Sequence, residues 1–317
     1  MLEVRSVLQS EDQICCYRSI TSTGARALWE ITSACNLNCD FCLVEIKRTQ
    51  ISLERAIEIA DGLIDNGVDK ILLSGGEPLV YKHIVPLLHH LLGRGVLVKL
   101  LTNGTVHNEA VFQLINEHPA LEVSMSILSV KPERADAIFR RQGAWDKLAA
   151  SLDRIPAKQV NIITAVQTQN EDEIAEIIDW VAARGIPGIS VINVFKDPNS
   201  PARFRDDCRD YKIGPDRIGA LFGLIEAKRA QYAGRLAIRT TQFRGCGGES
   251  CGAGHSVLYV DALGRILPCT LTDNSLWRDR VAGMGAADAI ALYRREITDL
   301  PASSCARLLR PEAALPA

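Results

Sequence analysis

The chain lacks a surplus of charge of either sign and has few aromatic residues. It carries 36 Lys and Arg against 38 Asp and Glu in 317 residues, and no basic run is interleaved with aromatics, so nothing indicates a nucleic-acid partner. No run reaches the roughly 18 apolar residues of a membrane span, and the charged N-terminus has no signal-peptide core. Internal repeats and low-complexity segments are also missing. We expect a cytoplasmic protein that acts on a small molecule or a peptide and has no membrane partner.

Cysteine, by contrast, is plentiful, with 10 residues in the chain. In a reducing compartment this number favours metal binding or catalysis over disulfides. Cys35, Cys39 and Cys42 directly follow an apolar, β-branched run, and no fourth Cys or His lies nearby. Three thiolates on one irregular loop suit a four-iron, four-sulfide cluster (4Fe–4S) with one iron left open. Zinc, which usually takes four ligands, is the plainer alternative.

Residues 26 to about 195 alternate short β-branched runs with amphipathic stretches of helical length, a pattern typical of a parallel sheet built from βα units. Six strands are too few for a closed eight-stranded barrel. We therefore predict an α/β fold with a partial (β/α)6, TIM-like barrel. The predicted parts are an N-terminal segment (1–25), the barrel (26–211), and a linker helix with a small cysteine-rich extension (212–317).

The spacing of the three cysteines, with Phe41 before the last of them, resembles the radical S-adenosylmethionine (SAM) superfamily. The resemblance implies that the amino and carboxylate groups of SAM chelate the open iron. One electron then splits the sulfonium into a 5′-deoxyadenosyl radical, which takes a hydrogen atom from the substrate. An electron donor such as flavodoxin or ferredoxin is implied as a partner.

Further motifs extend this resemblance along the barrel. "GGEP" follows the second strand, "TNG" ends the third, and "VSMSI" forms the fourth. Bare glycine backbone at strand ends can approach a cofactor closely, and parallel barrels place their active sites at this end. Arg140 or Arg141 is a weaker match as a carboxylate partner. The resemblance implies that the cofactor-binding residues are Phe41, Gly75, Gly76, Glu77, Pro78, Asn103, Ser124, Ser126 and Arg140.

A second group of cysteines lies in the extension. Cys246, Cys251 and Cys269 flank a predicted hairpin with a turn at Gly264, and Cys305 follows. This arrangement resembles the SPASM or twitch extension of radical SAM enzymes and implies an auxiliary 4Fe–4S cluster. Because the usual run of closely spaced final cysteines is missing, we expect one auxiliary cluster with these four ligands. Two alternatives remain: Cys246 is not a ligand and one iron stays open, or zinc staples the hairpin.

Three functions follow from these patterns. The first is a radical SAM enzyme that epimerises or dehydrogenates a sugar or aminocyclitol in a natural-product pathway such as antibiotic biosynthesis, with Cys208 or Cys246 as the candidate hydrogen donor. The second is a maturase of ribosomal peptides, which the short N-terminal segment disfavours because it leaves no room for a leader-recognition domain. The third is a metal-stapled binding module without catalysis. A molybdenum-cofactor-type cyclase ranks lower, because the chain does not end in a double glycine.

Overall fold

The structure is a computed structural model, and it describes residues 24–39, 41, 42, 44, 48–193, 213, 215–241, 252–270 and 274–297. Residues 1–23 of the predicted N-terminal segment and four of the singled-out cysteines, Cys208, Cys246, Cys251 and Cys305, lie outside these residues. Within them, no helix is long and apolar enough to cross a membrane.

The described strands form one nine-stranded sheet. In chain order they are β1 (Ala25–Thr32), β2 (Val68–Gly75), β3 (Leu97–Thr102), β4 (Leu121–Ser126), β5 (Val160–Val166), β6 (Gly188–Asn193), β7 (Ala237–Thr241), β8 (Val257–Val260) and β9 (Ile266–Leu267). Their order across the sheet is β7-β6-β5-β4-β3-β2-β1-β8-β9. Every neighbouring pair is parallel except β8 and β9. The six predicted strands and the α/β fold class are confirmed.

Helices connect the parallel strands. They are α1 (Leu53–Asp65), α2 (Ile84–Gly93), α3 (Glu109–Glu117), α4 (Pro132–Phe139), α5 (Ala144–Leu152), α6 (Ile174–Ala183), α7 (Pro215–Gln231), α8 (Ser275–Arg280) and α9 (Ala286–Glu296). Helix α1 begins as its sequence predicts, because Ser52 Oγ accepts a hydrogen bond from the backbone N–H of Arg55 at 3.2 Å. The chain leaves this helix at Gly67, whose φ of +91° suits glycine.

Three strands, β7, β8 and β9, extend the sheet beyond the six predicted for the barrel. Strand β7 pairs with β6 at one edge, and β8 pairs with β1 on the other side of the sheet. The sequence analysis missed β7, because its five residues, AIRTT, follow the long helix α7 and contain an arginine. The predicted hairpin is confirmed as β8 and β9, with Gly264 at φ +75° in its turn. The division into parts at residue 211 stays a prediction, and strands from both sides of it share the sheet.

The two faces of the sheet differ in character. On one face, buried apolar residues such as Ala27, Trp29 and Ile31 of β1 join the hydrophobic core formed with the helices. Because side chains alternate along a strand, the intervening residues lie on the opposite face, which we call the inner face. Ser124 and Ser126 of β4 lie there. The carboxyl ends of the parallel strands meet at one edge, where the cysteine loop, the diglycine turn, Glu77 and Asn103 lie.

Candidate active site

The two glycines at the end of β2 pack directly against the backbone that leads into the cysteine loop. Gly75 has a φ of +135°, and a Cβ atom there would lie 2.1 Å from the carbonyl oxygen of Thr32. A Cβ atom on Gly76 would lie 2.3 Å from the carbonyl oxygen of Ala34 and 3.0 Å from Cys35 Cβ. The backbone N–H of Gly76 donates to Thr32 O at 2.8 Å. Glycine is therefore required here for close packing between two loops.

Glu77 lies next to this contact and is fully buried. Its Oε1 accepts hydrogen bonds from Leu79 N at 3.0 Å and from Thr102 Oγ1 at 2.7 Å. Its Oε2 accepts one from Asn103 N at 2.8 Å. Burial raises the pKa of Glu77 to about 7, although these hydrogen bonds act to lower it. The carboxyl group thus ties the loop after β2 to the loop after β3, and its role in binding the cofactor stays a prediction.

The end of β3 also holds the cysteine loop through a closed ring of hydrogen bonds. Asn103 Nδ2 donates to Asn36 Oδ1 at 3.0 Å, Asn36 Nδ2 donates to Thr105 Oγ1 at 2.7 Å, and Thr105 Oγ1 donates to Asn103 Oδ1 at 2.6 Å. Asn103 Nδ2 also lies 3.9 Å from Cys35 Sγ, and the N–H of Leu37 donates to that sulfur at 3.3 Å. The predicted residue Asn103 is therefore placed beside the first cysteine.

The three predicted cluster ligands are half-buried thiols that form no disulfide. Burial raises the pKa of the Cys35 thiol to about 11, so metal binding has to remove its proton. Among the described residues, no three His, Cys, Asp or Glu side chains converge on a single point as one metal ion would require. A 4Fe–4S cluster binds each thiolate through a different iron, so it needs no such convergence. Thiols that form no disulfide, an N–H donor to sulfur and close-packed glycines fit a cluster with its cofactor.

The other predicted residues lie at different distances from this loop. Phe41 packs against the core, and Pro78 begins a short 3-10 turn that is capped by Glu77. Ser124 is buried. Arg140 is exposed at the C-terminal end of α4, with a left-handed backbone at φ 52°, and its role as a carboxylate partner stays a prediction. Cys269, the one described ligand of the predicted auxiliary site, is buried just after β9.

Sequence reasoning missed Gln167, which directly follows β5 at the same edge of the sheet. The side chain is fully buried, and neither its amide nitrogen nor its amide oxygen has a hydrogen-bond partner in the described structure. An unpaired buried polar group costs roughly 1–3 kcal/mol. The sequence holds only a weak signal for this residue, a polar side chain at the end of the apolar strand VNIITAV.

Comparison with known proteins identifies the domain that contains these motifs. A sequence profile described as the radical SAM superfamily matches residues 29–181, which run from β1 to α6 and include the cysteine loop, the diglycine turn and Asn103. The chain carries a radical SAM domain. Domains of this family work with a 4Fe–4S cluster and SAM, and relatives with a SPASM extension carry auxiliary clusters.

Curated radical SAM relatives differ in the share of the chain that they cover. The GTP 3′,8-cyclase of Ectopseudomonas mendocina is 31% identical over 167 residues, which are 49% of this chain and 50% of that protein. The antilisterial bacteriocin subtilosin biosynthesis protein AlbA of Bacillus subtilis is 24% identical over 296 residues, which are 86% of this chain and 62% of that protein. The chain thus spans about half of the cyclase, and it matches AlbA well beyond the radical SAM domain.

A solved structure shares the fold. The crystal structure of Streptococcus suis SuiB bound to S-adenosylmethionine superposes with a TM-score of 0.65 and 18% sequence identity. The superposition covers 77% of this chain and 60% of SuiB. At this level of identity the likeness concerns the fold alone, and it agrees with a partial barrel.

Proposed function

We propose that this chain is an enzyme that reductively cleaves SAM and removes a hydrogen atom from an unactivated C–H bond of a substrate bound on the inner face of the sheet. The observation that carries the proposal is the contact between the diglycine turn, Glu77 and the cysteine loop at the carboxyl edge of the parallel strands. SAM bound to a reduced cluster supplies a 5′-deoxyadenosyl radical, which is the reagent that an unactivated C–H bond needs.

The chain's own residues would place and protect the reactants. Cys35, Cys39 and Cys42 would hold the cluster, while Gly75 and Gly76 let the loop after β2 pack against the backbone that leads to Cys35. Closing the site excludes water and prevents side reactions. Two sets of hydrogen bonds would keep the loops at a fixed separation during the reaction. One set is made to the Glu77 carboxyl group, and the other links Asn103, Asn36 and Thr105.

We propose a small, hydroxylated substrate of the sugar or aminocyclitol class, made in the cytoplasm as a natural-product intermediate. The inner face supports this class, because Ser124, Ser126, Asn161 and Ser190 project uncharged polar groups along its middle. Such groups recognise hydroxyl groups by hydrogen bonding. Flavodoxin or ferredoxin would supply the electron.

The outcome at the abstracted carbon depends on what happens to the substrate radical. In epimerisation a thiol, Cys208 or Cys246, returns a hydrogen atom to the opposite face. In dehydrogenation the radical loses one electron and one proton, and the auxiliary cluster takes the electron. Cys246, Cys251, Cys269 and Cys305 are the proposed ligands of that cluster.

Peptide maturation is the second candidate function. It is favoured by the similarity to AlbA, which extends over 86% of this chain and so includes at least part of the cysteine-rich extension. A solved structure of the SuiB kind is described as bound to the precursor peptide SuiA. A peptide substrate would use the same SAM chemistry and a different part of the inner face.

The test is anaerobic reconstitution followed by incubation with SAM and dithionite. We expect 5′-deoxyadenosine, and about eight irons and eight sulfides per chain if both clusters form. Cys39→Ala should abolish the product, whereas Cys15→Ala, a matched change outside both cysteine groups, should not. Zinc in place of iron, with no 5′-deoxyadenosine, would instead support the binding module. Once a substrate is known, deuterium from solvent on the product carbon indicates epimerisation, and its absence indicates dehydrogenation.

A further inference from the structure

Charged side chains occupy the inner face near the amino ends of the strands. They are Arg26 on β1, Lys70 on β2, Lys99 on β3, Glu122 on β4 and Arg239 on β7. The register of the strands places these charged residues on one face. Arg26 pairs with Lys70, and Lys99 pairs with Glu122. Arg239 is connected through the pairs Arg239–Ser190, Ser190–Ile163 and Ile163–Ser126 to Ser126, which lies on the inner face. We call Arg26, Lys70, Lys99 and Arg239 the basic cluster. The radical SAM motifs do not use any of these residues.

The cluster converges on Glu122. Lys99 Nζ lies 3.0 Å from Glu122 Oε2, and Lys70 Nζ lies 3.9 Å from the same oxygen. Burial would raise the pKa of Glu122, but the charges of Lys99, Lys70 and Arg239 outweigh it and lower that pKa. Arg239 lies on the third strand beyond β4, and its Nη1 reaches back across β6 to lie 3.5 Å from Asn161 Oδ1 on β5. The cluster therefore spans the inner face from β1 to β7.

Positive charge exceeds negative charge on this face. The described strand residues there include four cations and two carboxylates, Glu122 and, further along β1, Glu30. Lys70 is only 4% exposed, and its ammonium group makes no hydrogen bond within the described part of the chain, its nearest carboxylate oxygen being the one at 3.9 Å. Burial lowers the pKa of Lys70. A buried ammonium group is normally paired and hydrogen-bonded, whereas this one has an ion-pair partner that is too distant for a hydrogen bond.

The cluster lies below the SAM site at a distance that a small substrate can bridge. Thr102, which bonds to Glu77 at the carboxyl edge, is three residues beyond Lys99, or about 10 Å along the strand at about 3.3 Å per residue. The serines of β4 occupy the space between the two levels. A molecule with an anionic group at one end and a reacting carbon at the other would span them.

We propose that the basic cluster, with Lys70 at its centre, binds an anionic oxygen group of the substrate, a carboxylate or a phosphate, and so fixes the reacting carbon beneath the SAM site. This inference rests on the proposed function, because it assigns the substrate to the same inner face. It adds a charge requirement to the hydroxylated substrate class.

The experiment measures thermal unfolding of the reconstituted full chain with added inorganic phosphate, or with acetate, at constant ionic strength. Binding to the folded state raises the unfolding midpoint, and we expect such a rise with at least one anion. A rise with phosphate alone assigns a phosphate group, and a rise with acetate alone assigns a carboxylate. Lys70→Met should abolish the rise, whereas Lys158→Met, which removes an exposed lysine outside the sheet, should retain it.

Two further readouts separate a binding role from a structural one. If Lys70 served only as an ion-pair partner of Glu122, Lys70→Met would lower the midpoint in anion-free buffer. The proposal expects the midpoint to rise, because the substitution removes a buried ammonium group that makes no hydrogen bond in the described part of the chain. Lys99→Met provides the same anion test if Lys70→Met does not fold. No anion-dependent rise in the wild type, or an equal rise in the methionine variants, would overturn the proposal. This assay needs no turnover, so its result is independent of the test of the proposed function. The midpoint can stay unchanged by anions while 5′-deoxyadenosine forms, and it can rise with an anion when no 5′-deoxyadenosine forms.

Discussion

Replacing Gly76 by alanine should disable the cysteine loop without touching a thiol. The added Cβ atom would lie 2.3 Å from Ala34 O and 2.6 Å from the Ala34 carbonyl carbon. Ordinary van der Waals contact begins near 3.4 Å, so the two loops have to separate by about 1 Å. The same displacement weakens the hydrogen bond from Glu77 N to Ala34 O, which is 2.9 Å long.

The expected cost follows from these contacts. Overpacking contributes about 1–3 kcal/mol, and the weakened hydrogen bond adds about 1 kcal/mol. Together they predict a fall of about 2–4 kcal/mol in the free energy of unfolding, or roughly 5–10 °C in the unfolding midpoint. A misplacement of 1 Å can cost about a hundredfold in rate, and we expect at least that loss in the formation of 5′-deoxyadenosine.

Gly93→Ala is the matched control for this change. Gly93 is the last residue of α2, and no heavy atom lies within 4 Å of a Cβ atom built there. Alanine should therefore stabilise the chain by about 0.5–1 kcal/mol and leave the rate unchanged. Thermal melts, iron content and 5′-deoxyadenosine should be measured on both variants. If Gly76→Ala retains wild-type iron and rate, the close packing of the two loops does not position the cluster.

Two pH-dependent predictions complete the set. Burial raises the pKa of Glu77 from 4.5 to about 7, so its favourable contribution to the free energy of unfolding is complete below pH 4.5 and falls by about 3 kcal/mol as the pH rises through 7. Urea titrations at several pH values should show that Glu77→Gln lacks this loss. Parallel pH profiles of stability for the wild type and Glu77→Gln would contradict the assignment. Partial burial acts to raise the pKa of Asp179, but hydrogen bonds from Lys228 and Tyr232 outweigh it and lower that pKa. Its contribution should therefore hold above pH 3.8 and fade in acid, and Asp179→Asn should cost about 1 kcal/mol or less at neutral pH. An equal loss of stability at low pH in both proteins would contradict that link between α6 and α7.

The structural features that depend on local sequence pattern could be predicted. Six strands could be found because β-branched runs alternate with stretches of helical length. The meeting of the cysteine loop, "GGEP" and "TNG" could be predicted because parallel strands end at one edge. Strand β7 could not, since a five-residue strand at a sheet edge is specified by its pairing with β6 and not by its own composition.

The sequence could not reveal the partners of Glu77 either. A family resemblance implied that its carboxyl group faces the cofactor, but its three donors come from Leu79, Thr102 and Asn103. Two of them are supplied by the next strand, so only the tertiary structure brings them together. Lys70 shows the same limit, because a lysine in an apolar strand gives no sign of which face it occupies until the register is known.

The structure separates two demands on one sheet. The loops after β1, β2 and β3 are joined by the contacts of Gly75 and Gly76, by the buried carboxyl group of Glu77 and by the ring of hydrogen bonds that includes Asn103. A small displacement of any one loop should therefore also move the cysteines. The basic cluster projects from the strands themselves, whose backbones are held by hydrogen bonds to neighbouring strands. We therefore expect a change of substrate to require substitutions such as those at Lys70 or Arg239, and SAM chemistry to require that the three loops stay as they are. This predicts that variants of the basic cluster alter substrate binding and retain iron, and that variants of the loops lose both.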